Sequence, residues 1–188
     1  VASVLEREPT TFPRHHWDAS DPLCCMEVVF GTGDTFRTGE AAGPGTPHDQ
    51  HAIGGAQRFP LGPHQVDYHR LIQGAQGTMG IVTWATIRCE LKPRLRKLYF
   101  LDGLTLEELI EFTYRIVKQW LGDEVLIVNS TALASILATD RPAIEKLRGL
   151  LPPWILIFCL NGYEHRPTQR VAYQEADMLD IAQSLQMK

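Results

Sequence analysis

No apolar run in this sequence reaches the roughly 18 residues that a membrane-spanning helix requires. The greasiest stretch, Leu151 to Leu160 (LPPWILIFCL), is short and carries two prolines, so it reads as a buried strand. Basic clusters are also missing. Eighteen Lys and Arg stand against 22 Asp and Glu, a net charge of −4, with no block that would grip a phosphate backbone, so no nucleic-acid partner is expected. Cysteine is sparse: residues 24, 25, 89 and 159 show no CxxC spacing, and adjacent Cys24 and Cys25 would point to opposite faces of a strand. They make a poor metal clamp, and a reduced, cytoplasmic compartment is the default. The seven histidines include His15-His16, His48/His51 and His64/His69, set among prolines and glycines rather than on a regular helix that would present a ligand pair, so no metal site is expected. Ser130 and Cys159 lack the glycines of a nucleophile elbow, which argues against a hydrolase.

What the sequence does have is glycine, concentrated in one place. Eleven of its 15 glycines fall between Gly31 and Gly80. Gly74, Gly77 and Gly80 recur every third residue within Leu71–Trp84, then Ile81-Val82-Thr83 leads into an alternating, strand-like segment ending near Leu91. Glycine serves where a backbone takes unusual torsions or must approach something closely. The triplet therefore reads either as a main-chain ligand contact or as a tightly packed turn, and spacing alone leaves both open.

At 44% hydrophobic over 188 residues, the chain can build a real core. It begins on Val1 with no initiator Met, so we take it as the middle of a longer polypeptide. Residues 26–30 and 35–38 read as strands of a hairpin closed by Gly31-Thr-Gly-Asp34. Residues 39–63 are dense in Gly and Pro with no apolar period; a connection of this length inside a compact domain is more often a functional loop than a plain connector. Asp67–Ile72 reads as a short helix or turn that delivers the chain to the glycine triplet.

Past Pro93 the character changes. A short strand at 98–101 precedes a helical repeat over 104–122, with Thr105 at its N-cap and Gly122 closing it. Strands at 124–129 and 154–160 and helices at 131–138, 141–148 and 171–187 complete a β-α-β-α-β-α order. The expected division is 1–93 and 94–188.

Gly74-Ala-Gln-Gly-Thr-Met-Gly-Ile-Val-Thr-Trp-Ala-Thr-Ile-Arg-Cys-Glu-Leu-Lys-Pro93 resembles the segment that ends the FAD-binding domain in the FAD-linked oxidase family. This is the vanillyl-alcohol oxidase and p-cresol methylhydroxylase (PCMH) type, with glycolate oxidase and D-lactate dehydrogenase relatives. Arg37-Thr-Gly39 is similar to an Arg-Thr-Gly that precedes that segment, and Phe59-Pro-Leu-Gly-Pro63 resembles a loop of the phenol-oxidising branch. The motif's Glu is Gln76 here, and Trp84 stands where the family has another Glu.

The resemblance implies an α+β chain: the C-terminal part of a PCMH-type FAD-binding domain (1–93), followed by a ferredoxin-like β-α-β layer of the substrate-covering cap (94–188). It implies FAD as cofactor, with Gln76, Gly77, Thr78, Gly80, Ile81 and Val82 along its adenosine and pyrophosphate end. The expected activity is hydride transfer to flavin from a hydroxylated small-molecule substrate, either a phenol or aromatic alcohol or a 2-hydroxy acid. The family's glycine-rich pyrophosphate loop is not in this sequence, so the missing N-terminal half of the domain, or a partner chain, is expected to complete the site. A non-catalytic interaction subunit with the same scaffold and no flavin is the competing reading, and homo-oligomerisation is left open. No catalytic base is assigned; His48, Asp49, Tyr68 and His69 are the better-placed candidates.

Overall fold

The computed structural model describes residues 2–8, 10–13, 21–61 and 67–187. They fall into two compact units, one made of residues 1–10 and 14–90, the other of 11–13 and 91–188. His15, His16 and His64 lie outside the described residues.

The first unit is built on a three-stranded antiparallel sheet in the order β2-β1-β3, with β1 at Leu23–Val29, β2 at Thr35–Arg37 and β3 at Ile81–Ile87. The hairpin between β1 and β2 forms as its turn residues dictate. Gly33 takes φ +89° and the Phe30 amide donates to the Asp34 carbonyl at 3.0 Å. β1 is central and carries the core residues Leu23, Met26 and Val28, which pack with Ile72, Val82, Ala85 and Ile87. Its register with β3 shifts twice, between Leu23 and Met26 and between Glu27 and Val28. Such bulges turn a strand's side chains relative to its partner. Cys24 and Cys25 are both buried, and all four cysteines are free thiols.

Within residues 39–61, where a functional loop is expected, the chain forms two short helical elements. A 3₁₀ turn at Gly39–Ala42 is followed by a helix, α2, at Pro47–Ala52, after the short α1 at Ala2–Leu5. α2 has a capping box: the Asp49 amide donates to Thr46 Oγ1 at 3.1 Å, and Asp49 Oδ2 accepts from the Thr46 amide at 2.9 Å. Buried Gln50 then holds the surrounding chain, its Nε2 donating to the carbonyls of Ala41, Gly43 and Pro44. His48 and His51 therefore sit on a helix, contrary to their expected loop setting. The short helix α3, His69–Ile72, leads into the glycine turn.

The second unit is a sheet in the order β4-β6-β5, from β4 at Leu95–Gly103, β5 at Glu124–Asn129 and β6 at Trp154–Gly162. β6 is antiparallel to both neighbours, so β4 and β5 run parallel to each other, a split β-α-β arrangement. α4 (Leu106–Lys118) connects β4 to β5, α5 (Ser130–Leu137) and α6 (Arg141–Leu150) connect β5 to β6, and α7 (Pro167–Ser184) follows. Leu109, Phe112 and Ile116 of α4 meet Leu156, Phe158 and Leu160 of β6 and Val171, Met178 and Ile181 of α7 in one core. The helical period of α4 and the two-residue period of β6 explain why these residues share a face. The expected elements are all present, with β4 longer than expected at both ends and α7 starting four residues earlier, at Pro167. α4 closes on Trp120 (φ +58°), not Gly122. The Leu121 amide reaches the Ile116 carbonyl at 2.8 Å and the Trp120 amide that of Val117 at 3.0 Å, a Schellman motif.

Candidate functional site

The glycine segment forms a tight reversal between α3 and β3. Ala75-Gln76-Gly77-Thr78 is a type I′ turn: Gln76 has φ +50°, Gly77 has φ +79°, and the Thr78 amide donates to the Ala75 carbonyl at 2.9 Å. Thr78 Oγ1 donates to the same carbonyl at 2.7 Å. Among the described residues, the amides of Gln76, Gly77 and Met79 find no acceptor. A Cβ placed on Gly77 would meet nothing within 4 Å.

Gly80 is different. Its φ is +153°, and a Cβ there would stand 2.7 Å from the Val29 carbonyl oxygen and 2.8 Å from a Val28 methyl. Of the two alternatives that the glycine spacing left open, Gly80 fits close packing, whereas Gly77 has open space where a Cβ would stand, in a turn whose Gln76, Gly77 and Met79 amides have no acceptor. The next two residues divide as well: Val82 packs into the core while Ile81 is 72% exposed, beside the exposed Met79.

The Arg37-Thr-Gly39 segment is accounted for residue by residue. Arg37 Nε donates to Glu27 Oε2 at 2.6 Å, and its Nη1 donates to the Gly45 carbonyl. Buried Thr38 pairs with Met26 through both its amide and its hydroxyl, each at 3.0 Å. Gly39 lies under the Phe59–Pro60 backbone, where a Cβ would come within 2.2 Å of the Phe59 oxygen. Glu27 also accepts from Thr83 Oγ1 at 2.8 Å, so one carboxylate bridges all three strands. The Arg37 and Thr83 hydrogen bonds hold its pKa below the usual carboxylate value. α2 and the sheet enclose a cleft of about 760 Å³, lined by Glu27, His48, His51, Gln57, Trp84 and Thr86 among others. A second cleft of about 720 Å³ runs along Glu40, Gly43 and residues 53–59.

The chain aligns over 98% of its length with p-cresol methylhydroxylase with substrate bound, at 20% identity and a TM-score of 0.63. It aligns over 99% with 4-ethylphenol oxidase from Gulosibacter chungangensis in an isoeugenol complex, at 18% identity and a TM-score of 0.66. With alkyldihydroxyacetonephosphate synthase the figures are 98%, 15% and 0.60. The chain has the PCMH-type FAD-binding fold. It spans 36%, 36% and 31% of those chains respectively, about a third of their length. No protein-family model and no curated protein matches the sequence.

In this PCMH-type fold, Gln76, Gly77, Thr78, Gly80, Ile81 and Val82 lie together in one turn and the start of β3. The other candidates are scattered. Asp49 is the N3 member of the α2 capping box whose N-cap is Thr46, its pKa lowered by hydrogen bonds from the Thr46 hydroxyl and amide. Tyr68 is exposed and stacks edge-on against Phe36, with centroids 5.7 Å apart. His48 lines the larger cleft, and His69 is fully buried against Asp21 at 3.3 Å. Among the described residues no cluster of His, Cys, Asp and Glu could hold a metal ion, and no helix is long and apolar enough to cross a membrane. Asp21, Gln50 and Gln73, which organise the turn and the loop, carry no local sequence signal. The Thr46-Pro-His-Asp49 cap is a signal that would have found α2.

Proposed function

We propose that this chain forms one wall of the FAD site of an FAD-linked oxidoreductase acting on a hydroxylated substrate. The observation that carries the reading is the glycine turn: open space at Gly77 and three neighbouring amides without acceptors, in a PCMH-type FAD-binding fold. Backbone donors arranged in a turn with positive φ angles favour anionic oxygens. The residues thus fit the pyrophosphate and adenosine end of the cofactor. The Gln76 and Gly77 amides would donate to phosphate oxygens, the bare Ile81 side chain would cover an apolar ring face, and Thr78, Gly80 and Val82 would set the backbone path. Bound FAD supplies the hydride acceptor, and the protein supplies position and electrostatics. The substrate class is a phenol or aromatic alcohol, or a 2-hydroxy acid. The Phe59-Pro60 loop and the names of two neighbours, a p-cresol methylhydroxylase and a 4-ethylphenol oxidase, support the phenolic class.

The intact protein is purified and its visible spectrum recorded before and after incubation with FAD. A flavin band that stays with the protein on gel filtration supports the proposal; a colourless protein that leaves FAD free overturns it. The second result favours the alternative, a non-catalytic interaction subunit on the same scaffold.

A further inference from the structure

The chain entering the glycine turn is tied to a buried polar cluster that the FAD reading leaves unused. His69 is 1% exposed. Its Nε2 faces Asp21 Oδ2 at 3.3 Å, and its Nδ1 touches Asp67 Oδ1 out of line for a hydrogen bond. The other oxygen of Asp21 accepts from the Leu23 amide at 2.9 Å and from Gln73 Nε2 at 3.2 Å. Gln73, also buried, donates to the Val4 carbonyl at 3.0 Å and accepts from Arg7 Nε at 3.4 Å. Arg7 caps the Arg70 carbonyl at 3.0 Å, and Arg70 pairs with Asp67 at 2.7 Å.

Three segments far apart in sequence therefore meet in one cluster: residues 21–23 and 67–73 at the Asp21 carboxylate, and residues 4–7 through Gln73 and the Arg70 carbonyl. The last member, Gln73, is two residues from the start of the type I′ turn. Beyond that point the turn has little of its own to hold it. The Gly74 amide reaches the Leu5 carbonyl at 2.7 Å, the Ala75 amide reaches that of Ile72 at 3.1 Å, and Thr78 closes on Ala75. A buried carboxylate is tolerated when its lone pairs are filled, so the cluster stands or falls as a unit. A binding turn whose unpaired amides take the ligand gains affinity from being ordered before the ligand arrives.

We propose that Asp21, His69 and Gln73 are positioning residues that hold the glycine turn in its ligand-facing shape without touching the cofactor. The effect on FAD rests on the reading given above; the anchoring of the turn does not.

Asp21→Asn, His69→Leu and His69→Gln are compared with wild type in the intact protein by two readouts. The first, without ligand, is hydrogen exchange at the Gly74, Ala75 and Thr78 amides, with Ile144 of α6 as a control far along the chain. The second is FAD affinity by titration. D21N and H69L are expected to speed exchange at the turn amides about tenfold and to weaken FAD binding by about the same factor, the size of one charge-assisted hydrogen bond. H69Q keeps a donor facing Asp21 and recovers most of both, while Ile144 exchange stays unchanged. Turn amides that exchange at the wild-type rate in D21N and H69L overturn the proposal. So does acceleration shared by Ile144 with no rescue by H69Q. A wild-type protein that binds no FAD overturns the cofactor reading, and the exchange data then decide the anchoring alone.

Discussion

Replacing Gln76 by glycine tests whether the glycine turn stores strain for function. Gln76 is one of six non-glycine residues with positive φ among the described residues, at +50°, and it occupies a turn position that glycine or asparagine usually fills. Placing an L-residue there costs about 1–2 kcal/mol. Glycine removes that cost but loosens the unfolded chain, which returns roughly 0.4–1 kcal/mol. The side chain is exposed and makes no hydrogen bond, so none is lost. The net expectation is that Q76G is about 0.5–1 kcal/mol more stable than wild type, and Q76V less stable than either because its branched Cβ suits φ > 0 poorly. Urea unfolding of the intact protein, followed by far-UV circular dichroism and fitted with a common slope, measures both. A Q76G protein that is equally stable or weaker refutes the strain argument. A residue kept against stability points to function, so Q76G is also expected to bind FAD less well.

Three other perturbations separate packing from conformation. Gly80→Ala drives a Cβ against the Val29 carbonyl and a Val28 methyl and is expected to cost about 2–4 kcal/mol, whereas Gly77→Ala meets open space and costs only the φ term, about 1 kcal/mol; equal losses in urea unfolding would contradict the division drawn between the two glycines. Phe112→Ala removes a fully buried ring lying 6.0 Å from Phe158, and a loss of about 3–5 kcal/mol is expected in the second unit, read by chemical denaturation. The third concerns pH. Burial pushes the Asp21 carboxyl up, but hydrogen bonds from His69, the Leu23 amide and Gln73 outweigh it, and its pKa lies below the unfolded value of 3.8. Its stabilising contribution is therefore present above that unfolded value and fades as pH falls through the lower folded value. D21N should show a shallower loss of stability than wild type below about pH 4 in acid titration, and parallel curves would refute the assignment.

The parts of the fold legible in sequence are those fixed by neighbours along the chain. Gly31-Thr-Gly-Asp34 dictates its hairpin, and Thr105 with Glu108 forms the capping box that starts α4. Apart from the Thr46–Asp49 cap of α2, the path of residues 39–61 was not legible, because it depends on Gln50 reaching three carbonyls and on Glu40 accepting the Arg58 and Phe59 amides 18 and 19 residues away. Such contacts have no periodicity to read. The glycine turn itself was legible, since the glycine triplet marks it. Its division was not: which glycine faces open space and which faces β1 depends on the bulged pairing of β1 with β3. The Asp21–His69 contact, across 48 residues, leaves no trace in local sequence at all.

The most direct test of the central claim is an FAD titration of the intact ¹⁵N-labelled protein, followed at the backbone amides. If the glycine turn is one wall of the flavin site, the Gln76, Gly77 and Met79 resonances shift together and saturate, while amides buried in the α4–β6 core stay fixed. Saturable binding that leaves those three amides unmoved, or no binding, contradicts the account.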